Sequence, residues 1–208
     1  MSQIGQDFWV AGEVFNGMRG GYFLDIGAAD GYDISNSFLL ETRYGWSGLC
    51  VEANPETFQT LRACRRVQCV NACIDADVGS AEFRKDGLFG GIVATGTDAS
   101  ARTTGDVVSM PTTTLGRLLD EYRAPKRIDY MSIDVEGAED RILGGFDFDR
   151  YSFNAITIER PSAMLRALLA DHRYRMVKEV PGLDAFFIHE DFLETYVANA
   201  ISFWTKTV

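Results

Sequence analysis

Short apolar runs alternate with helical patterns along most of the chain. "GYFLDIG" (21–27), "GLCVEA" (48–53), "VQCVNACI" (67–74), "IDYMSIDV" (128–135) and "NAITIE" (154–159) read as buried strands. "SAEFRK" (80–85) is a shorter strand-like piece. Helices are predicted between them. "SNSFLLETRYG" (35–45) has Ser35 or Asn36 as cap and Gly45 as stop, and "NPETFQTLRACRR" has Asn54 as cap and Pro55 at the first helical position. Leu115, Leu118, Leu119 and Tyr122 share one helical face, and residues 137–145 and 161–172 complete the set. Residues 86–110, rich in Gly, Thr, Ser and Ala, show no period and predict a long loop.

The ending differs. "YRMVKEV" (174–180) and "DAFFIHE" (184–190) are strands joined by "PGL", a connection short enough only for an antiparallel hairpin. Strands separated by helices pair in parallel, because parallel neighbours need a crossover. The expected fold is α/β: a doubly wound, seven-stranded, mostly parallel sheet with a C-terminal antiparallel hairpin. Residues 1–208 form one domain, with an N-terminal helical segment at 1–20 and a tail at 191–208. The aromatic end "ISFWTKTV" offers a homodimer contact.

A formal charge of −10 speaks against nucleic acid or anionic lipid as a partner. The basic cluster "RACRR" (62–66) reads as the solvated face of a helix. No apolar run approaches the ~20 residues that span a bilayer, and the N-terminus lacks the pattern of a secretory signal. The expected location is cytoplasmic. Cys50, Cys64, Cys69 and Cys73 form no C-x-x-C pair, and His172 and His189 add little for zinc; the thiols read as reduced and mostly buried.

In such a sheet the ligand lies beyond the carboxyl ends of the strands. Those ends carry Asp25 to Gly31, Glu52, Asn71 to Asp75, Asp134 with Glu136, and Glu159 with Arg160. Polar groups gather there while the strands themselves are apolar. A carboxylate ending the second strand, Glu52, suits the two ribose hydroxyls of an adenosine. The loop glycines are Gly27 and Gly31, not the dinucleotide G-x-G-x-x-G, and Asp30 would repel a pyrophosphate. An acidic loop suits a sulfonium, which points to S-adenosylmethionine rather than NAD.

"SQIGQD" (2–7), "GGYFLDIGAADG" (20–31), "SNSFLLE" (35–41), "GWSGLCVEANPETFQTL" (45–61), "TTLGRLL" (113–119) and "IDYMSIDVEGAEDRIL" (128–143) resemble the FkbM-type methyltransferases. The likeness runs in order over about residues 2–190. It implies a Rossmann-like class I methyltransferase that uses S-adenosyl-L-methionine, and a hydroxyl of a sugar, glycan or natural product as the acceptor. Carried over by position, Asp25, Gly27, Ala28 and Gly31 form the cofactor turn, with Asn36, Ala53 and Asp134 in the same set. Glu52 holds the ribose, and Asn71 through Asp75 lie near the adenine. Gln3, Gln6 and Asp7 close over the cofactor from the N-terminal side. Family members often carry Asn where Ala29 stands; alanine is small enough to let the backbone approach.

Two mechanisms stay open. In one, Asp134 or His172 is a general base, with Glu136 and Glu159 nearby. In the other, Asp134 and Glu159, with Glu136, hold Mg²⁺, which lowers the pKa of the hydroxyl. The 86–110 loop is expected to cover the acceptor as a lid. N-methylation of a small amine, or a non-catalytic S-adenosylmethionine-binding accessory protein, are the alternatives.

Overall fold

A computed structural model describes residues 2–206. Met1 of the N-terminal segment, and Thr207 and Val208 of the tail, lie outside the described residues.

The main sheet contains β1 (Tyr22–Ile26), β2 (Ser47–Glu52), β3 (Gln68–Asn71), β8 (Arg127–Ile133), β9 (Ser152–Glu159), β10 (Tyr174–Glu179) and β11 (Asp184–His189). Their order is β10-β11-β9-β8-β1-β2-β3, parallel except around β11, which is antiparallel to both neighbours. The seven-stranded sheet and its terminal hairpin are as expected. The hairpin strands sort by side chain. β11 is buried at every position and sits inside the sheet, whereas β10, with Arg175, Lys178 and Glu179 outward, forms the edge.

Both faces are covered. Leu24, Ile26, Met131, Ile133, Ile156, Ile158 and Phe187 pack under α5 (Leu115–Glu121), α6 (Glu139–Gly144) and α7 (Ala163–Asp171). Phe23, Cys50, Tyr130, Ala155, Phe186 and Ile188 pack on the other face. There they meet α2 (Phe38–Tyr44), α3 (Pro55–Cys64), α8 (Glu190–Lys206) and the N-terminal helix. That helix runs as α1 (Gln6–Phe8) and then as a π-helix (Trp9–Val14). Alternate residues of one strand feed opposite cores, as the two-residue repeat of a strand requires. Asn54 caps α3 with Pro55 behind it, and Gly45 ends α2 in the left-handed region, as read from the sequence; the α2 cap is Ser37, one position beyond Asn36.

Three expectations need correction. Residues 86–110 are not a structureless loop. They hold a 3₁₀ turn (Gly87–Phe89), β6 (Gly91–Ile92), α4 (Asp98–Ala101) and the first part of β7 (Asp106–Thr113). With β4 (Cys73–Ile74) and β5 (Gly79–Lys85) these strands form a second sheet, β4-β7-β5-β6. Pro111 hid β7 in the sequence; it is tolerated because β4 pairs only with Thr112 and Thr113, leaving Pro111 on an open edge. Second, the run 67–74 is two strands, broken at Ala72, that serve different sheets. Third, "RACRR" is not wholly a solvated face. Arg65 is buried, because it continues the inward stripe of Phe58 and Leu61. No helix among the described residues is long and apolar enough to cross a membrane.

One close approach sets the sheet's working end. A Cβ on Gly27 would lie 1.7 Å from the carbonyl oxygen of Asp134, and its φ is +82°. Gly27→Ala is therefore expected to destabilise by about 3 kcal/mol, the sum of a left-handed backbone and an overpacked contact. Gly20→Ala, equally left-handed at φ +72° but with nothing within 4 Å, should lose only about 1–2 kcal/mol. Urea unfolding of both variants checks the difference.

Candidate active site

Beyond the carboxyl ends of β1, β8 and β9 lies a cleft of about 700 Å³. Its walls include Gln3, Asp25, Asn36, Asp134, Glu136 and Glu159, and the glycine turn supplies Gly27, Ala28 and Ala29. Leu88 and Phe89 of the 3₁₀ turn close one side. Next to it, also bounded by Gly27, is an apolar slot of about 390 Å³ lined by Val51, Glu52, Ala53, Ile74, Phe83, Ile92 and Val135.

The turn between β1 and α2 is held from below. Gly27 N–H and Ala28 N–H both donate to the Val51 carbonyl at 3.0 Å. Ala29 N–H donates to Glu52 Oε2 at 3.0 Å, and Asn54 N–H donates to Glu52 Oε1 at 2.7 Å. Burial raises the Glu52 carboxyl to about 7 despite these bonds. Arg65 reaches in from the end of α3. It pairs with Glu41 and donates to the Gly31 carbonyl at 3.3 Å, Ser35 Oγ at 3.4 Å and Ser37 Oγ at 3.0 Å. Ser37 Oγ in turn donates to Asp25, a buried carboxyl that desolvation pushes up.

At the far wall Asp134 faces Glu159. Burial, then the neighbouring Glu159 carboxylate, drives the Asp134 carboxyl far above its ordinary value. Glu159 Oε1 pairs with Arg160 at 2.9 Å, while Glu159 Oε2 is buried with no hydrogen-bond partner among the described residues. Two facing carboxylates with no donor between them are relieved by one shared proton or one cation. Asn36 Oδ1 is likewise unpartnered, its Nδ2 donating to Ser132 Oγ at 2.9 Å. Glu136 rises to about 6 through burial and Glu159, with Arg102 at 3.5 Å opposing. Ala29, Glu136 and Arg160, each just past a strand end, all have positive φ (50°, 58° and 40°). Such strain in non-glycine residues concentrates at working sites.

The sequence matches the Methyltransferase FkbM domain over residues 25–176. The chain belongs to that family. No curated protein sequence matches it. Among solved structures, a methyltransferase FkbM from Methylobacillus flagellatus KT superposes at TM-score 0.51 and 12% identity. The alignment covers 82% of this chain but 44% of that one, so this chain spans less than half the length of that relative. Precorrin-6y C5,15-methyltransferase from Geobacter metallireducens GS-15 aligns at TM-score 0.46 and 15% identity over 89% and 87% of the two chains. A human methyltransferase 10 domain containing protein aligns at 0.44 and 10% over 90% and 82%. The fold of this FkbM domain is the class I methyltransferase fold.

The FkbM domain brings most, not all, of the expected residues together. Asp25, Gly27, Ala28, Asn36 and Asp134 line the cleft, and Ala53 and Glu52 the slot. Gly31 lies behind the turn, where a Cβ would meet Leu61 at 2.4 Å. Gln6 is not on the cleft: its Nε2 donates to Asp184 at 2.7 Å, and Gln3 takes the lining place. Asn71 spends its amide on the Glu52 and Ala53 carbonyls. Asp75 is held in a two-pronged pair by Arg141, at 2.9 and 2.8 Å. His172 caps the far end of α7, stacked 4.6 Å from Phe148, because α7 carries the chain back to the opposite end of the sheet. Mg²⁺ finds no support. Among the described residues no three His, Cys, Asp or Glu side chains converge, and Arg160 already supplies the positive partner of Glu159.

The slot residues Phe83 and Ile92 escaped the sequence reading, since they come from the second sheet. Arg65 escaped it too, although the Phe58–Leu61–Arg65 spacing was the available signal.

The S-adenosylmethionine that the family implies fits this cavity. An apolar slot beside a buried carboxylate suits an adenosine, and unpartnered acceptor atoms in an acidic cleft suit a cationic tail.

Two predictions follow from the geometry of the turn and its carboxylates. Alanine at φ 50° is strained, so Ala29→Gly should stabilise by about 1 kcal/mol in a urea titration. Glu52 and Glu139 both rise from 4.5 to about 7 by burial. The folded protein therefore binds more protons than the unfolded chain between those values, and this stability is present below about 4.5 and lost as pH rises through 7. The urea midpoint should be lower at pH 8 than at pH 5.5. Glu139→Gln, which keeps an oxygen for the Val135 N–H, should flatten the change.

Proposed function

We propose that this FkbM domain transfers a methyl group from S-adenosylmethionine to a hydroxyl of a sugar, glycan or natural product. The observation that carries this reading is the buried Asp134–Glu159 pair beside the glycine turn, with Glu159 Oε2 unpartnered among the described residues. When bound, S-adenosylmethionine supplies an electrophilic methyl: the oxygen–carbon bond forms as the sulfur–carbon bond breaks, and the electron pair stays on sulfur.

The chain's own residues do the rest. Glu52 in the slot lining would hold the ribose, and Val51, Ala53, Phe83 and Ile92 would enclose the base. Asp134 with Glu159 keeps one negative charge against the cationic end, and the pair would take up the hydroxyl proton. Glu136, ionised above about 6, adds charge to the same wall. Leu88 and Phe89 exclude water from one side.

The test is labelled methyl transfer to a panel of hydroxylated acceptors. Asp134→Asn should reduce turnover by ~10²-fold or more, with the dissociation constant of S-adenosylhomocysteine changed less than fivefold. Wild-type turnover should fall as pH drops through about 6, and Glu136→Gln should remove that limb of the profile. Tight S-adenosylhomocysteine binding with methyl transfer to amines alone would favour N-methylation instead.

A further inference from the structure

The cleft is built inside out. Its carboxylates, Asp25, Asp134, Glu136 and Glu159, are buried or half-buried, while its large apolar side chains, Ile34, Leu88 and Phe89, are 51%, 42% and 52% exposed. The three come from two separate segments, the loop after the glycine turn and the 3₁₀ turn before β6, and meet at the solvent side of one cleft. Exposed apolar groups gathered at a cavity, unlike single ones scattered over a surface, mark a place where something binds. We propose that Ile34, with Leu88 and Phe89, is a specificity-determining residue of this cleft. The three form an apolar collar that admits an acceptor whose hydroxyl sits on an uncharged hydrocarbon body, an aromatic or alicyclic alcohol rather than a free sugar. This rests on the methyl-transfer reading and narrows its acceptor.

Ile34 carries the argument. Its φ is 50°, and a β-branched residue in the left-handed region is a genuine outlier. Glycine or asparagine would take that conformation at lower cost. Packing does not repay the strain, because half of the side chain faces solvent. The conformation is nevertheless fixed on both sides. Asp30 Oδ1 accepts from the Tyr32 and Asp33 N–H groups at 2.9 Å, and Ser35 Oγ accepts from the Phe38 N–H at 3.2 Å. Residue 34 also pairs with the backbone of Ser2. A strained, exposed isoleucine held this firmly is explained by a contact with a bound molecule.

Phe89 is held as well. The Arg102 guanidinium lies 4.6 Å from its ring centroid and is itself placed by Glu136 at 3.5 Å. Collar and carboxylates line the same cleft, so a molecule touching Ile34 and Phe89 can direct its hydroxyl to the Asp134–Glu159 pair. Ile34 further lines an adjoining groove with Tyr32, Phe38 and Leu39, which extends the apolar surface outward.

The collar and the carboxylates together select the class. An anionic acceptor would meet Asp33, Glu136 and Glu159. A free sugar would press its hydroxyls against hydrocarbon, where they lose water without gaining a partner. A neutral apolar body avoids both penalties.

Saturation-transfer NMR with naphthol, naphthoate and methyl glucoside tests this on the wild type, Ile34→Gly and Phe89→Ser. Each protein is also unfolded in urea and titrated with S-adenosylhomocysteine. Naphthol should bind the wild type saturably and at least tenfold more tightly than naphthoate or methyl glucoside. Ile34→Gly should unfold at a higher urea concentration than the wild type, since the strain is gone, yet bind naphthol at least fivefold more weakly. Phe89→Ser should weaken naphthol to a similar degree. A lower urea midpoint for Ile34→Gly, or undiminished naphthol binding by it, overturns the role of Ile34. Wild-type preference for methyl glucoside or naphthoate overturns the class. An equal loss of S-adenosylhomocysteine and naphthol affinity in Ile34→Gly assigns the collar to the donor and overturns the proposal. Failure of S-adenosylhomocysteine to bind the wild type strikes the methyl-transfer reading instead, and the naphthol titrations still judge the collar.

Discussion

The site depends on how closely the backbones of β1 and β8 approach where both strands end. Gly27 has no side chain, and the Asp134 carbonyl occupies the space that a Cβ would need. Asp134 N–H bonds the Ile26 carbonyl and Gly27 N–H bonds the Val51 carbonyl, each at 3.0 Å. Three strands are thus locked at the point where the glycine turn leaves the sheet. Asp134 reaches the cleft because its own backbone forms the wall against which that turn is folded.

A second constraint is a buried cation. Arg65 is 6% exposed, and such a charge is tolerated only when its partners are close and numerous. Glu41 supplies the counter-charge, while Gly31, Ser35 and Ser37 supply oxygen atoms from the loop that follows the turn. One residue from α3 thereby holds the turn, the start of α2 and, through Ser37, the carboxyl of Asp25. The loop is rigid from behind and presents its other side to the cleft. The carboxylates at that side stay close together because strand ends, not flexible loops, carry them. Their mutual repulsion is balanced by Arg160 and Arg102 and by proton uptake.

Where a loop was expected, a small second sheet borders the slot and the cleft. It lends Phe83 and Ile92 to the slot, while the turn before β6 lends Leu88 and Phe89 to the cleft. Asp98 and Arg102, through a backbone hydrogen bond and ion pairs, fasten it to Glu136 and Arg160. Pairing β5 with β7 satisfies the backbone of a segment whose Gly, Thr and Ser content carries little apolar signal.

The sequence by itself determined the seven strands of the main sheet, the helices with polar caps and the hairpin. Each depends on local rules: a two-residue or 3.6-residue repeat, a cap, a turn too short to cross over. It also placed Asp25, Glu52, Asp134, Glu136 and Glu159 correctly at strand ends, because topology alone puts those ends on one side. The tertiary structure decided which side chains had oxygen or nitrogen atoms to spare. Gln6, Asn71 and Asp75 are consumed by partners distant in sequence or by nearby carbonyls, and α7 carries His172 to the far end of the sheet. The physical reason is that local repeats report the direction of a side chain. Whether its polar atoms are satisfied depends on neighbours brought together only when the chain folds.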